Sequence, residues 1–171
     1  SEETAAAPRL CALCPPGRAR LADAEGYHSL TCMGGGLRTF LHDQLKRTVV
    51  SVATSAQAAP QVEARPFGSA PELRVDVLLR GLLVAGRAVA VDLAVTHALR
   101  PDVVALAAAT GGAAASQYEA VKTAKYGAAA ARDGFAFTPL VVDTFGAWGR
   151  SGLPVLDALS RRACVRWGVS A

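Results

Sequence analysis

The chain has 171 residues, 51% hydrophobic and 19% charged, enough apolar material to bury a core and too little charge for wholesale disorder. Eighteen Lys and Arg against fourteen Asp and Glu give a net charge of +4, which permits nucleic acid as a partner without demanding it. No run of about 18 apolar residues escapes a charge or a breaker, which excludes a membrane-spanning helix, and the start Ser1-Glu2-Glu3-Thr4 carries neither a secretory signal nor a Met, so the expectation is a piece cut from a longer protein.

The first element is a cysteine cluster. Cys11, Cys14, His28 and Cys32 read C-x2-C-x13-H-x3-C. Zinc takes four such ligands in a tetrahedron. A C-x2-C pair on a tight turn supplies two thiolates, and Pro15, Pro16 and Gly17 suit that turn. His28 and Cys32 are four apart, so one turn of chain presents both. The plainer alternatives are buried thiols or a disulfide. The spacing and the ligand types favour zinc, which a unit this small needs in order to fold. Cys164 is distant, on the apolar side of a helix, and is expected to be a core thiol. Gly34-Gly35-Gly36 then separates residues 9–36 from residues 37–171.

Residues 37 to about 56 have helical periodicity, with Leu37, Phe40, Leu41, Leu45, Thr48, Val49 and Val52 along one stripe. Pro60 ends it. Three short strands are predicted next: Gln61 to Pro66; Leu73 to Arg80, which alternates Leu73, Val75, Val77 and Leu79 against Arg74, Asp76, Leu78 and Arg80; and Ala88 to Thr96, buried on both faces. Gly81 and Gly86 bracket the turn between the last two. Arg100 to Gly112 is Ala-rich and ambiguous, opening on Pro101-Asp102. Ser116 to Asp133 is a helix closed by Gly134, Phe135 to Asp143 a strand, and Pro154 to Trp167 an amphipathic helix. The order, helix, three strands, helix, strand and helix, describes an α/β (α+β) domain with a mixed sheet flanked by helices.

Two carboxylates stand out. Asp76 and Asp92 each sit inside an apolar strand. A buried carboxylate is costly unless paired or bound to a metal. On adjacent strands joined by a hairpin, the two can converge on one Mg²⁺, which takes oxygen ligands. The alternative is a pair of strand-edge acids facing solvent. Only three of the eighteen cations are Lys (Lys46, Lys122 and Lys125), and two lie three residues apart. Tyr118, Lys122, Lys125 and Tyr126 share a helix face. An ammonium there can stabilise negative charge developing on a phosphate; the alternative is a solvated charged face. Glu63 is equally a third acid or an exposed strand charge. His42, flanked by Asp43, is expected to pack or cap. His97, just after its strand, is expected to be a loop histidine.

In their order, these residues resemble the restriction-like endonuclease of site-specific non-LTR retrotransposons. That domain opens on a CCHC zinc knuckle, here Cys11, Cys14, His28 and Cys32. An R-x-RH-like helix follows, here Arg38 to His42-Asp43. Its PD motif corresponds to Arg74-Val75-Asp76, its second acid to Asp92, and its K-x-x-K-Y helix to Lys122, Lys125 and Tyr126. The resemblance covers residues 11 to about 145; no single motif is specific, but the ordered set is. It departs from the pattern at Val75, which stands where Pro is usual, and at Ala94, where the wider PD-(D/E)xK superfamily has its Lys. The retrotransposon branch moves that Lys to the following helix, where Lys122 or Lys125 fills the role.

The resemblance implies a PD-(D/E)xK restriction-endonuclease-like fold. It also implies Mg²⁺- or Mn²⁺-dependent nicking of DNA, leaving a 3′-hydroxyl that primes reverse transcription. Asp76 and Asp92, with Glu63, would be the metal ligands, Lys122 the catalytic Lys, Lys125 a phosphate contact and Tyr126 a packing or DNA-positioning residue. A reverse transcriptase domain in the same polypeptide and a nuclear location follow from the same resemblance. The rival functions are a catalytically silent nuclease-like module that binds nucleic acid or serves as a scaffold holding a reverse transcriptase in place, and a dimeric junction resolvase.

Overall fold

A computed structural model of the protein describes residues 9–14, 20–22, 28, 32 and 37–169, with backbone alone at 21–22 and 37–38. Pro15, Pro16, Gly17, the Gly34–Gly36 separator and the Arg38 side chain lie outside the described residues. The chain divides into two compact units, Ser1–Leu41 and His42–Ala171, so the division falls a little inside the first helix and not at its start.

In the first unit, β1 (Arg9–Leu10) pairs antiparallel with β2 (Leu21–Ala22), with Arg9 opposite Ala22 and Leu10 opposite Leu21. The Cys11 amide donates to the Arg20 carbonyl at 2.8 Å, and the Cys14 amide closes a turn onto the Cys11 carbonyl at 3.3 Å. The C-x2-C pair therefore sits on a turn leaving a short ribbon.

The second unit is a four-stranded mixed sheet flanked by helices. Helix α1 (Leu37–Ser55) turns Leu45, Val49 and Val52 of the expected stripe inward, together with Ala53 and Ala56. Thr48 is exposed and its hydroxyl donates to the Gln44 carbonyl, as threonines inside helices commonly do. The strands follow as β3 (Pro60–Ala64), β4 (Val75–Val84), β5 (Arg87–Thr96) and, after helices α2 (Val104–Ala109) and α3 (Ala113–Arg132), β6 (Ala136–Asp143). They lie in the order β3-β4-β5-β6, antiparallel except for the β5–β6 pair. Helix α4 (Leu153–Trp167) ends the chain. Pro139 lies inside β6, at the sheet edge, where its missing amide hydrogen breaks no ladder bond on the outer side. Among the described residues no helix is long and apolar enough to cross a membrane.

Two boundaries move from their sequence-based positions for steric reasons. Strand β4 runs on through Gly81 to Val84, because the reversal is made by Ala85 and Gly86, both at positive φ (50° and 75°), as a two-residue hairpin turn. Gly81 marks a close approach instead: a Cβ there would lie 2.6 Å from the Gln57 carbonyl oxygen. Helix α3 begins at Ala113, three residues before Ser116: Ala113 is buried, Ala114 packs with Ala107 of α2 and Ala115 with Ala94 and Val141 of the strands.

The sheet is covered on both sides. Val77, Leu79, Val89, Val91 and Leu93 pack against α1 and α4 around Val49, Ala53, Val155, Leu159 and Ala163. Leu78 and Ala90 pack with Tyr126, Ala129 and Ala130 of α3, and Ala94 with Ala115. This two-sided burial explains why β5 reads as an almost unbroken apolar run. It also fixes Asp76 and Asp92, which alternate with Val77 and Val91, on the α3 side.

Candidate functional site

Two groups of side chains carry chemistry. In the first unit, Cys14 Sγ lies 3.3 Å from His28 Nε2, and Cys32 Sγ lies 3.7 Å from both Cys11 Sγ and Cys14 Sγ. All four ligand atoms fall within 4.8 Å of one another. A disulfide would need sulfurs about 2.05 Å apart, whereas two thiolates on a tetrahedral zinc with Zn–S near 2.3 Å stand about 3.8 Å apart. The group is therefore a Cys₃His set that can hold a metal such as zinc. His28 and Cys32 are buried. The Cys11 thiol is drawn down to about 7, chiefly by a hydrogen bond from the Leu13 backbone and further by His28 and Cys32. That favours the thiolate a metal requires. Among the described residues this is the only group of three or more His, Cys, Asp or Glu side chains placed around one ion.

In the second unit, register sets the site. Val62 lies opposite Val77 and Ala64 opposite Val75, so Glu63 is level with Asp76. Val77 lies opposite Val91, so the next pair along is Asp76 and Asp92. Three carboxylates thus form one row across β3, β4 and β5. Like charges opposite one another oppose sheet formation, and here the ladder gives way: the Leu93 amide donates to Asp76 Oδ2 at 2.7 Å. Glu63 departs from strand geometry, with φ 53°.

Each acid meets a basic side chain. Lys122 of α3 places Nζ 2.6 Å from Asp92 Oδ2. His42 of α1 places Nε2 3.3 Å from Asp76 Oδ2 and Nδ1 3.5 Å from Asp43 Oδ1. Glu63 is bound by Lys46 and by Arg74, the latter at 2.8 Å. The Lys46 contact holds the Glu63 carboxyl below its usual range and raises the Lys46 ammonium in return. The Lys122–Asp92 contact has ion-pair distance without hydrogen-bond alignment, and Asp92 Oδ2 is a buried oxygen with no aligned donor. On Asp76 both bonds fall on Oδ2; Oδ1 makes none among the described residues.

The other residues singled out from the sequence separate by position. Tyr118 lies beside the Lys122 ammonium, which sits 5.6 Å from its ring centre. Tyr126 is buried, stacks on Phe137 at 5.0 Å and donates its hydroxyl to the Arg74 carbonyl at 3.1 Å. Burial, then the negative charges of Asp92 and Asp76, push its phenol well above the usual range. It packs and positions, and is too enclosed to touch DNA directly. Lys125 is exposed and folds over the Tyr126 ring, its ammonium 3.1 Å from the hydroxyl. Of the two lysines, Lys122 is the one held at a carboxylate.

Two expectations are corrected, those for His42 and Cys164. His42 does not simply pack or cap; it reaches Asp76. His97 is the loop histidine expected, just past the end of β5, and it is buried, hydrogen-bonded to the Thr144 hydroxyl at 2.7 Å, five residues beyond Asp92, about 17 Å along an extended chain. Cys164 is half-buried and outside the apolar clusters. The sequence did carry a signal for Lys46, the third of the scarce lysines, spaced i, i+4 from His42 on one helix face. Arg74 carried none. Compared with known proteins, the chain matches no family model and no curated protein.

Proposed function

We propose that the second unit is a metal-dependent DNA endonuclease of the PD-(D/E)xK restriction-like type. In this proposal it nicks target DNA to supply a 3′-hydroxyl primer, working in the nucleus alongside a reverse transcriptase domain of the same polypeptide. One observation carries this reading: two strand-borne carboxylates lie side by side on the α3 face, with an ammonium from α3 only 2.6 Å from the second.

Asp76 and Asp92 would hold Mg²⁺ or Mn²⁺, using Asp76 Oδ1 and the buried Asp92 Oδ2, hard oxygen donors suited to such ions. When bound, the ion supplies Lewis-acid polarisation of the phosphate and a more acidic water. Lys122 places positive charge where negative charge builds on a phosphate held at Asp92. His42 holds Asp76 from the other side, and Lys46 and Arg74 hold Glu63 at the end of the row. The Cys₃His unit would add a zinc-stapled contact to the DNA backbone, sequence-blind and salt-sensitive.

A second reading has its own support. Every acid in the row already meets a basic side chain, an arrangement that also suits a catalytically silent, nucleic-acid-binding module. Supercoiled plasmid in Mg²⁺ separates the two, because an endonuclease gives open circles. Asp76→Asn keeps an acceptor for the Leu93 amide while losing the charge. Its nicking rate should fall about a thousandfold, the equivalent of a few kcal/mol of transition-state stabilisation, with duplex binding retained. Lys122→Met should fall about a hundredfold. Wild-type nicking that survives Asp76→Asn unchanged removes the assignment.

A further inference from the structure

We infer that the outward face of α1, together with an arginine-lined groove at its C-terminal end, forms a docking track for the phosphate backbone of duplex DNA. The inference rests on the nuclease reading for the identity of the polyanion, and adds a surface that the catalytic row does not include.

The track begins where α1 leaves the carboxylate row. Beyond Asp43, residues 44–57 contain no acid. The exposed positions Gln44, Arg47, Thr48, Ser51 and Thr54 follow one helical stripe of short polar side chains and one guanidinium. At its end lies a groove of about 590 Å³ lined by Ser55, Ala56 and Gln57 on one side and Arg161, Arg162, Val165 and Arg166 of α4 on the other. Three guanidiniums face it and no carboxylate lines it.

The ordinary uses of these arginines do not exhaust them. Arg161 pairs with Asp157 at 2.9 Å one helical turn away. Arg162 donates to the Gly81 carbonyl at 2.8 Å, a bond that leaves its charge unneutralised. Arg166, in the last turn of α4, has no ion pair or hydrogen bond among the described residues. A cation there complements the helix dipole, but that accounts for one arginine, not three. Even after Asp157 and the two helix C-termini, each about half a negative charge, the groove stays net positive. Guanidinium forks are the side chains best matched to phosphate.

Spacing gives the inference a length. His42 stands at the row and Ser55 at the groove, thirteen residues apart and therefore about 20 Å along the helix axis at 1.5 Å per residue.

The test is the salt dependence of binding to a 24-base-pair duplex, read by fluorescence anisotropy between 50 and 200 mM salt with the full chain. Each phosphate contact contributes about 0.9 to the slope of log K against log salt. Removing two charges in Arg161→Gln/Arg166→Gln should flatten the slope by about 1.8. The wild type would then lose about tenfold more affinity than the variant over that range. Arg161→Lys/Arg166→Lys, which keeps both charges, should hold the wild-type slope. Arg47→Gln, on a different helix, should flatten it by about 0.9, so the track does not depend on α4 alone tolerating change. This pattern supports the track whether or not the wild type nicks. Equal slopes in wild type and Gln variants overturn it, and wild-type nicking in that case leaves the nuclease reading standing. A wild type that neither binds duplex nor nicks overturns both.

Discussion

Tyr126 fixes the backbone just ahead of a candidate metal ligand. Its hydroxyl donates to the Arg74 carbonyl and accepts from Lys125, both at 3.1 Å, two residues before Asp76. Tyr126→Phe keeps the stack on Phe137 and loses about 1 kcal/mol at neutral pH. The phenol's raised ionisation adds a pH signature. Its usual value is near 10, so the unfolded chain sheds this proton around pH 10 while the folded chain keeps it. Stability from this group is therefore whole below pH 10 and falls as pH climbs past it, by about 1.4 kcal/mol per pH unit. Urea unfolding at pH 8 and pH 11 should show the deficit of Tyr126→Phe shrinking or reversing at the higher pH. Alkaline limbs that stay parallel would rule this account out.

Among the elements, α4 is tied to α3 by an acid the sequence did not single out. Glu119 is 2% exposed and accepts from the Ser151 amide at 2.9 Å and the Gly152 amide at 3.1 Å. These are the residues leading into α4, where a carboxylate satisfies orphan amides and complements the helix dipole. Glu119→Gln keeps the shape but turns one oxygen into a donor facing an N–H. The expected cost is about 2 kcal/mol, with faster amide exchange at residues 151–156. An unchanged unfolding midpoint would exclude the anchor. Nothing local advertised Glu119, since it sits in an Ala-rich helix like any surface acid and its partners lie 32 and 33 residues away.

For the molecule as a whole, the division into two compact units predicts separable responses to metal removal. Among the described residues the first unit shows a two-residue ribbon and a Cys₃His group, and a unit this small needs such a staple to fold. Chelation with 1,10-phenanthroline, or Cys14→Ser, should raise amide exchange across residues 9–32. The thermal midpoint of residues 42–169 should stay within about 2 °C, since a change under about 0.5 kcal/mol moves it no further in a domain of this size. A common loss of structure in both units would show that the metal organises the whole chain.

The sequence by itself determined the features whose physics is local. The C-x2-C turn, the buried run of β5, the helical stripe around Val49 and the helix bearing Lys122 all follow from spacings of two to four residues. It placed Asp76 and Asp92 on neighbouring strands because a hairpin joins them. Only the tertiary structure decided which basic side chain meets which carboxylate. His42 reaches Asp76 across 34 residues and Lys46 reaches Glu63 across 17. Those meetings depend on strand register and on where α1 lies on the sheet, and a shift of one residue would send every side chain of a strand to the opposite face.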